Sequence, residues 1–169
     1  ETNQNFSTSI SLTKTHSLPS QVNLVGEDPH DVAGVLKMYL AELPEPVFPY
    51  SSYDLCIAAC RVDDVEQRKQ MYLKALKELP DLNAIIVRFL FEFLYTVTLQ
   101  SELNKMSAAN LGVCFGPTLL RPAVITPEQL MMALEKTVVE HLIELYPVIF
   151  HEIGMQGVSP QLKQLQQQQ

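Results

Sequence analysis

Residues 81–98 read DLNAIIVRFLFEFLYTVT, and this stretch decides the class of fold. Its apolar side chains follow the i, i+3, i+4, i+7 spacing of an amphipathic helix without a gap: Leu82, Ile85, Ile86, Phe89, Leu90, Phe93, Leu94 and Val97. Asp81 follows Pro80 at the place where an N-cap residue is expected. The pattern predicts a long helix whose apolar face lies at the centre of the core.

A second helix is predicted upstream, where Asp28-Pro29 combines an N-cap residue with a proline at the first helical position. Its apolar face is expected to contain Val32, Val35, Leu36, Tyr39 and Leu40. The sequence Leu-Pro-Glu-Pro at 43–46 ends this helix, because proline removes a backbone donor and restricts the residue before it.

Further helices are predicted on both sides of residues 81–98. A short one is expected around 50–60, and Asp63 with Glu66 forms a capping-box pattern for the next. The uncharged run 107–115 predicts one buried helix, and 126–149 predicts a helix of more than five turns. No alternating strand pattern of useful length is found. The sequence therefore predicts an all-α helical bundle.

The two ends of the chain differ from its middle. Residues 1–27 are mostly Ser, Thr, Asn and Gln without a sustained apolar period, which predicts a loosely held, largely irregular arm. Residues 154–169 are rich in glutamine and are expected to be disordered, because such a tract buries too little apolar area to offset its ordering entropy. One folded domain is expected over 28–153.

Composition narrows the classes of function. The chain has 169 residues with 12 basic and 19 acidic side chains, a formal charge of −7, which argues against nucleic acid as a partner. No apolar window reaches membrane-spanning length and no signal peptide is recognisable, so a soluble, cytoplasmic protein without membrane insertion is expected. The cysteines, Cys56, Cys60 and Cys114, are too few and odd in number for a disulfide framework, and they fit a reducing compartment.

Self-contained catalysis has no visible motif. The sequence lacks a GxSxG elbow, a GxxxxGK phosphate loop and an HExxH pair, and no cofactor is indicated. Cys56 and Cys60 have no further ligands nearby for zinc and are interpreted as buried small hydrophobes, so no metal site is predicted. The pair Gly112 and Gly116 indicates close helix packing, and Gly116-Pro117 is expected to stop its helix.

Two segments are more specific than bundle packing requires. Residues 36–46 read LKMYLAELPEP, and residues 104–122 read NKMSAANLGVCFGPTLLRP. In this order, and with a bundle helix between them, they resemble the two signatures of the Rho GTPase-activating (RhoGAP) domain family. The resemblance extends over about residues 28–150. It implies a helical module that binds the switch regions of a GTP-bound Rho-family small GTPase, of Rho, Rac or Cdc42 type, and promotes GTP hydrolysis.

The resemblance implies that the chemistry takes place in the partner, while the activator supplies positioning and positive charge. The family's arginine finger is expected in a G-x-[FY]-R-x-SG loop upstream of the LK helix, and this loop is not found. Lys14 is no substitute, because lysine lacks the planar fork of arginine. Either the finger loop lies upstream of residue 1, or the module has no finger. Ala41 also stands where the family usually has arginine.

The resemblance implies four GTPase-binding residues. Lys37 matches the family's lysine beside the finger. Asn110, in the Asn-Leu pair, matches an asparagine that hydrogen-bonds across the same pocket. Asn104, in the Asn-Lys-Met sequence, matches a supporting asparagine nearby. Arg121 follows the FGP turn and is placed to reach the partner. Each has a plainer alternative, namely a solvated surface cation for Lys37 and Arg121, and satisfaction of nearby backbone groups for the asparagines. Pro44, Pro46, Gly116 and Pro117 are interpreted as structural.

Three functions remain open from the sequence. The first is a Rho GTPase activator, the second a catalytically silent GAP-like module that binds a GTPase or another protein, and the third a plain helical scaffold. If helix that the family places before the LK segment is absent, apolar surface is left uncovered and the arm is a candidate to replace it. Phe6, Ile10 and Leu12 are then the residues expected to pack.

Overall fold

A computed structural model describes residues 24–124, 126–127 and 132–152. Within these ranges the elements are helices, with no strand. In chain order they are α1 (Pro29–Glu42), α2 (Tyr50–Cys60), α3 (Val65–Lys77), α4 (Asp81–Thr98), α5 (Ser101–Asn104), α6 (Ala108–Leu119), α7 (Glu135–Glu144) and α8 (Tyr146–Glu152). The predicted all-α bundle is confirmed. Most of the arm and the whole tail lie outside the described residues, so the predictions for them stay predictions.

The starts of α1, α2 and α6 agree with the sequence, and those of α3 and α4 are displaced by one residue. The Asp28 carboxylate accepts a hydrogen bond from the backbone N–H of His30 at 2.7 Å, which confirms the predicted cap of α1. For α3 the cap is Asp64 instead of Asp63, because Asp64 is the residue that accepts from the N–H of Gln67 at 2.7 Å. In α4, Asp81 is already helical and Pro80 precedes the helix without a side-chain cap.

Helices α6 and α7 pack backbone to backbone. A Cβ atom placed on Gly116 would lie 2.6 Å from the nitrogen of Lys136, and one on Gly112 would collide with the Lys136 carbonyl oxygen. The interpretation of the glycine pair as a close helix contact is confirmed. The predicted stop at Gly116-Pro117 is wrong, since α6 continues through both residues to Leu119. Gly116 allows the backbones of α6 and α7 to approach closely. Pro117 lies near the end of α6, so the helix loses only one backbone hydrogen bond in its last turn.

The predicted long helix over 126–149 is interrupted twice. Ala133 has φ +44°, a left-handed conformation that a right-handed α-helix does not contain, and α7 begins two residues later. A second break falls at Leu145, between α7 and α8. Pro147 explains it, because proline has no N–H to donate to the carbonyl four residues earlier. Apolar spacing alone does not reveal either break.

Helix α4 buries a different face from the predicted one. Of the apolar series Leu94 is buried, and Ile86, Leu90 and Val97 pack partly buried against the core. The rest of the series is half or more exposed, namely Leu82, Ile85, Phe89 and Phe93. The packed face carries Val87 and Phe91 instead, both with no exposed surface. The Phe91 ring lies edge-on to Phe48 at 6.1 Å and stacks on Phe150 at 6.0 Å between centroids. Helix α4 has apolar residues on nearly all sides. The apolar spacing therefore predicts the helix correctly but does not determine which side faces the core.

Helix α1 shows the same discrepancy. Of its predicted apolar face only Leu40 is buried, whereas Val35 and Tyr39 are 61% and 63% exposed. The inward side is formed by Ala33, Lys37 and Leu40, which share one face at i, i+4, i+7 spacing. This side is turned toward the bundle, where α1 packs against α6.

Helix α7 lies in the middle of the bundle. It contacts α2, α4, α6 and α8, and Val138, Val139 and Leu142 have no exposed surface. No helix in the described part of the chain is both long and apolar enough to cross a membrane.

Candidate functional site

The two sequence signatures meet at the end of α6. The segment after the Leu-Pro-Glu-Pro turn is buried, and its Phe48 N–H donates to the carbonyl of Leu119 at 3.0 Å. The guanidinium of Arg121 donates through Nη1 to the carbonyl of Ala41 at 2.9 Å and through Nη2 to that of Leu43. The first signature is therefore hydrogen-bonded directly to the second.

Arg121 thus has a defined place that the sequence did not reveal. Its fork binds the free carbonyls at the C-terminal end of α1, where a positive charge also complements the helix dipole. It is half-buried and not the freely solvated cation of the alternative interpretation. That Arg121 also contacts a GTPase stays a prediction.

Lys37 lies on the inward side of α1, half-buried on the same face as Leu40, which is 4% exposed. A lysine in this position packs its aliphatic stem along apolar surface while its ammonium group stays accessible to water. It lies one helical turn before Ala41, whose carbonyl Arg121 binds, so the backbone that carries Lys37 is fixed at that end. These features suit a positioned cation.

Asn104 fixes the turn that leads into α6. Its Nδ2 donates to the carbonyl of Val97 at the end of α4, and its Oδ1 accepts from the N–H of Met106, both at 2.8 Å. Between them Lys105 takes a left-handed conformation with φ +60°. Asn104 therefore satisfies backbone groups of this turn, and its contact with a GTPase stays a prediction.

Asn110 lies in the first turn of α6. Ser107 caps this helix by accepting from the N–H of Asn110 at 3.2 Å, and the side-chain Nδ2 of Asn110 donates to the carbonyl of Lys105 at 2.8 Å. The side chain is exposed. Its amide is thus oriented by the turn, and because α1 packs against α6, Asn110 and Lys37 lie on neighbouring helices. Their joint contact with a partner stays a prediction.

Cys56 and Cys60 lie on α2 as free cysteines, the first buried and the second half-buried. Cys56 is fully buried, and burial followed by the nearby Cys60 raises the pKa of its thiol to about 12. Burial also raises the pKa of Cys60, whose Sγ donates to the carbonyl of Ile57 at 3.2 Å. Both shifts disfavour the thiolate, which is the form that acts as a nucleophile or binds a metal. The described residues contain no group of three His, Cys, Asp or Glu side chains able to hold a metal ion.

Removing the Arg121 fork tests its structural role. We expect Arg121→Ala to destabilise the fold by about 1–2 kcal/mol, because two carbonyls at the end of α1 lose a charged donor. Chemical unfolding of the variant measures this, with Arg61→Ala as control, since Arg61 is exposed and its Nη2 makes only a weak contact, 3.8 Å from the Met132 sulfur. Unchanged stability in Arg121→Ala would contradict the structural role.

Comparison with known proteins agrees with the two signatures. The family model of the RhoGAP domain matches residues 5–124, beginning inside the segment expected to be an arm. Rho GTPase-activating protein 15 of Gallus gallus is 38% identical over 125 residues, covering 73% of this chain and 26% of the relative. Rho GTPase-activating protein gacJJ of Dictyostelium discoideum is 43% identical over 94 residues, covering 56% of this chain and 11% of the relative.

Solved structures show the same fold. Human Rho GTPase activating protein 15 matches with a TM-score of 0.71 at 32% identity, over 78% of this chain and 64% of that one. The BH domain from GRAF, the GTPase regulator associated with focal adhesion kinase, matches with a TM-score of 0.63 at 36% identity, over 69% and 63%. This chain spans about a quarter or less of the length of the two curated relatives, the Gallus gallus and Dictyostelium discoideum proteins. It belongs to the RhoGAP domain family.

Proposed function

We propose that this chain binds the GTP-bound form of a Rho-family small GTPase through the surface formed by α1 and the start of α6, and that it promotes GTP hydrolysis by the partner. The observation that carries the proposal is the direct hydrogen bonding between the two family signatures, through Arg121 and Phe48, which fixes α1 relative to α6. Lys37 and Asn110 on these helices are the proposed contacts.

The proposed contribution of this chain to the reaction is electrostatic and positional. Phosphoryl transfer spreads negative charge over the equatorial oxygens, and the partner GTPase brings nucleotide, magnesium and the water-orienting glutamine. Lys37 would add positive charge beside that site, but an ammonium group does not provide the bidentate fork of an arginine finger. A finger supplied in trans contributes about 10³ to 10⁵ in rate, so its presence decides the size of the acceleration.

A second candidate function is a silent binding module, because none of the arginines within residues 1–169 lies in a G-x-[FY]-R-x-SG loop. The arginines of residues 1–169 are Arg61, Arg68, Arg88 and Arg121, and all four follow α1. Arg121 is held by the end of α1, and Arg88 lies 4.8 Å over the ring of Phe89. Such a module would hold the GTPase without accelerating hydrolysis.

Titration against GTP-loaded and GDP-loaded Rho-, Rac- and Cdc42-type proteins tests the proposed surface. We expect Lys37→Ala and Asn110→Ala each to weaken binding to the GTP-loaded form about tenfold, equivalent to about 1.4 kcal/mol. Lys74→Ala on the exposed side of α3 is the matched control and should bind like the parent. Unaltered binding of both site variants would exclude this surface, and no binding to any GTPase would favour a plain scaffold.

Single-turnover hydrolysis separates the two candidate functions. Activation predicts a faster loss of γ-phosphate when the chain is added in excess to the GTP-loaded partner, and a smaller effect with Lys37→Ala. Binding with an unchanged hydrolysis rate would identify the silent module.

A further inference from the structure

The outer side of α1 lines an open groove of about 690 Å³ that no described part of the chain fills. Its walls are mostly apolar and consist of Leu24, Val32, Val35, Leu36 and Tyr39, with Glu27 and Asp31 at the rim. The exposed fraction of Val35 and Tyr39 exceeds three fifths, which is high for large apolar side chains that lie side by side. The groove lies on the side of α1 away from Lys37 and Leu40.

The chain reverses its direction immediately before this groove. The N–H of Glu27 donates to the carbonyl of Leu24 at 3.2 Å, which closes a four-residue turn. Gly26 has φ +93°, a conformation that side-chain-bearing residues rarely adopt and that this kind of turn requires. The turn leads directly into α1 and so brings Leu24 beside the first turns of the helix. Leu24 itself already forms part of the groove wall.

The sequence before the turn has the pattern needed to fill the groove. Residues 18–24 read LPSQVNL, so an extended chain places Leu18, Val22 and Leu24 on one face. Pro19 favours this conformation, since the residue before a proline is biased toward extended backbone.

The length of the segment 18–22 also matches the length of the groove along α1. The four extended steps from Leu18 to Val22 span about 13 Å. The seven helical steps from Val32 to Tyr39 span about 10 Å.

We infer that residues 18–22, which lie outside the described residues, dock into the α1 groove with Leu18 and Val22 against Val32, Val35 and Tyr39. Helix α1 is then held on both sides, by the core on one and by this segment on the other. The segment belongs to the folded domain instead of to a free arm. The inference depends on the groove and the turn and does not require the proposed GTPase activity.

A tryptophan reporter tests this, because the chain contains no tryptophan. In the full 169-residue chain, Tyr39→Trp is expected to give blue-shifted emission that acrylamide quenches poorly. Adding Leu18→Ser and Val22→Ser should shift the emission to the red and restore quenching. Val35→Trp is a second reporter should the first disturb folding, and circular dichroism verifies the helix content of each variant.

Two controls make the test specific. The sequence alone suggests Ile10 and Leu12 for packing on uncovered apolar surface, whereas the groove is assigned to Leu18 and Val22. Ile10→Ser with Leu12→Ser should therefore leave the Tyr39→Trp emission unchanged. Leu103→Trp lies at an 80% exposed position on α5 and should be fully quenched in every background. Solvent-exposed emission from both groove reporters in the parent would overturn the inference. So would a blue shift that depends on protein concentration and survives Leu18→Ser with Val22→Ser, since a second copy would then fill the groove.

Discussion

Gly116→Ala is expected to destabilise the domain by about 1–3 kcal/mol although it adds a single methyl group. The new Cβ would lie 2.6 Å from the nitrogen and 2.8 Å from the Cα of Lys136, and its nearest neighbours all belong to the α7 backbone. A backbone cannot move aside as a flexible side chain can, so α6 and α7 must separate. Since α7 contacts four other helices, the displacement affects much of the core.

Gly34→Ala is the matched control for this prediction. Gly34 lies within α1, and a Cβ placed there meets nothing within 4 Å. Alanine is the better helix former, so this variant should gain about 0.5–1 kcal/mol. Urea unfolding followed by circular dichroism measures both variants. Equal shifts of the two midpoints in the same direction would show that the α6–α7 contact is not the cause.

Phe91→Ala is expected to destabilise the domain by about 3–5 kcal/mol, because a fully buried aromatic ring leaves a cavity. Phe89→Ala, two residues away and about 200° around the helix, should lose only about 0.5–1 kcal/mol from its cation–π contact with Arg88. Phe89 is 60% exposed. The same unfolding measurement compares the two variants. A larger loss of unfolding free energy for Phe89→Ala would indicate that α4 packs through the face predicted from the apolar spacing.

The sequence predicted which segments are helical better than it predicted their orientation. Helix α2 was predicted over 50–60 and is observed at Tyr50–Cys60, because the signals that define it are local. The packed side of α4 could not be predicted in the same way. Both Phe89 and Phe91 are apolar, and only the positions of Phe48 and Phe150, distant in sequence, select Phe91.

The candidate site shows the same division. The motifs identified Lys37, Asn104, Asn110 and Arg121 as residues of interest, and the spacing in each motif is local. The contact of Arg121 with the carbonyls near the end of α1 joins residues about 80 positions apart, and backbone acceptors leave no trace in side-chain pattern. The glycine pair at 112 and 116 did predict a close contact, but not which helix makes it.

The Arg121 fork has one implication for how this protein can vary. Its acceptors are main-chain oxygens, so the two hydrogen bonds from Arg121 do not depend on which side chain is present at 41 or 43. Position 41 has alanine where the resemblance implies arginine, and its carbonyl still accepts the hydrogen bond from Arg121. Substitution at the exposed position 41 is therefore compatible with this contact, whereas Leu43 is also constrained because its side chain packs against the core.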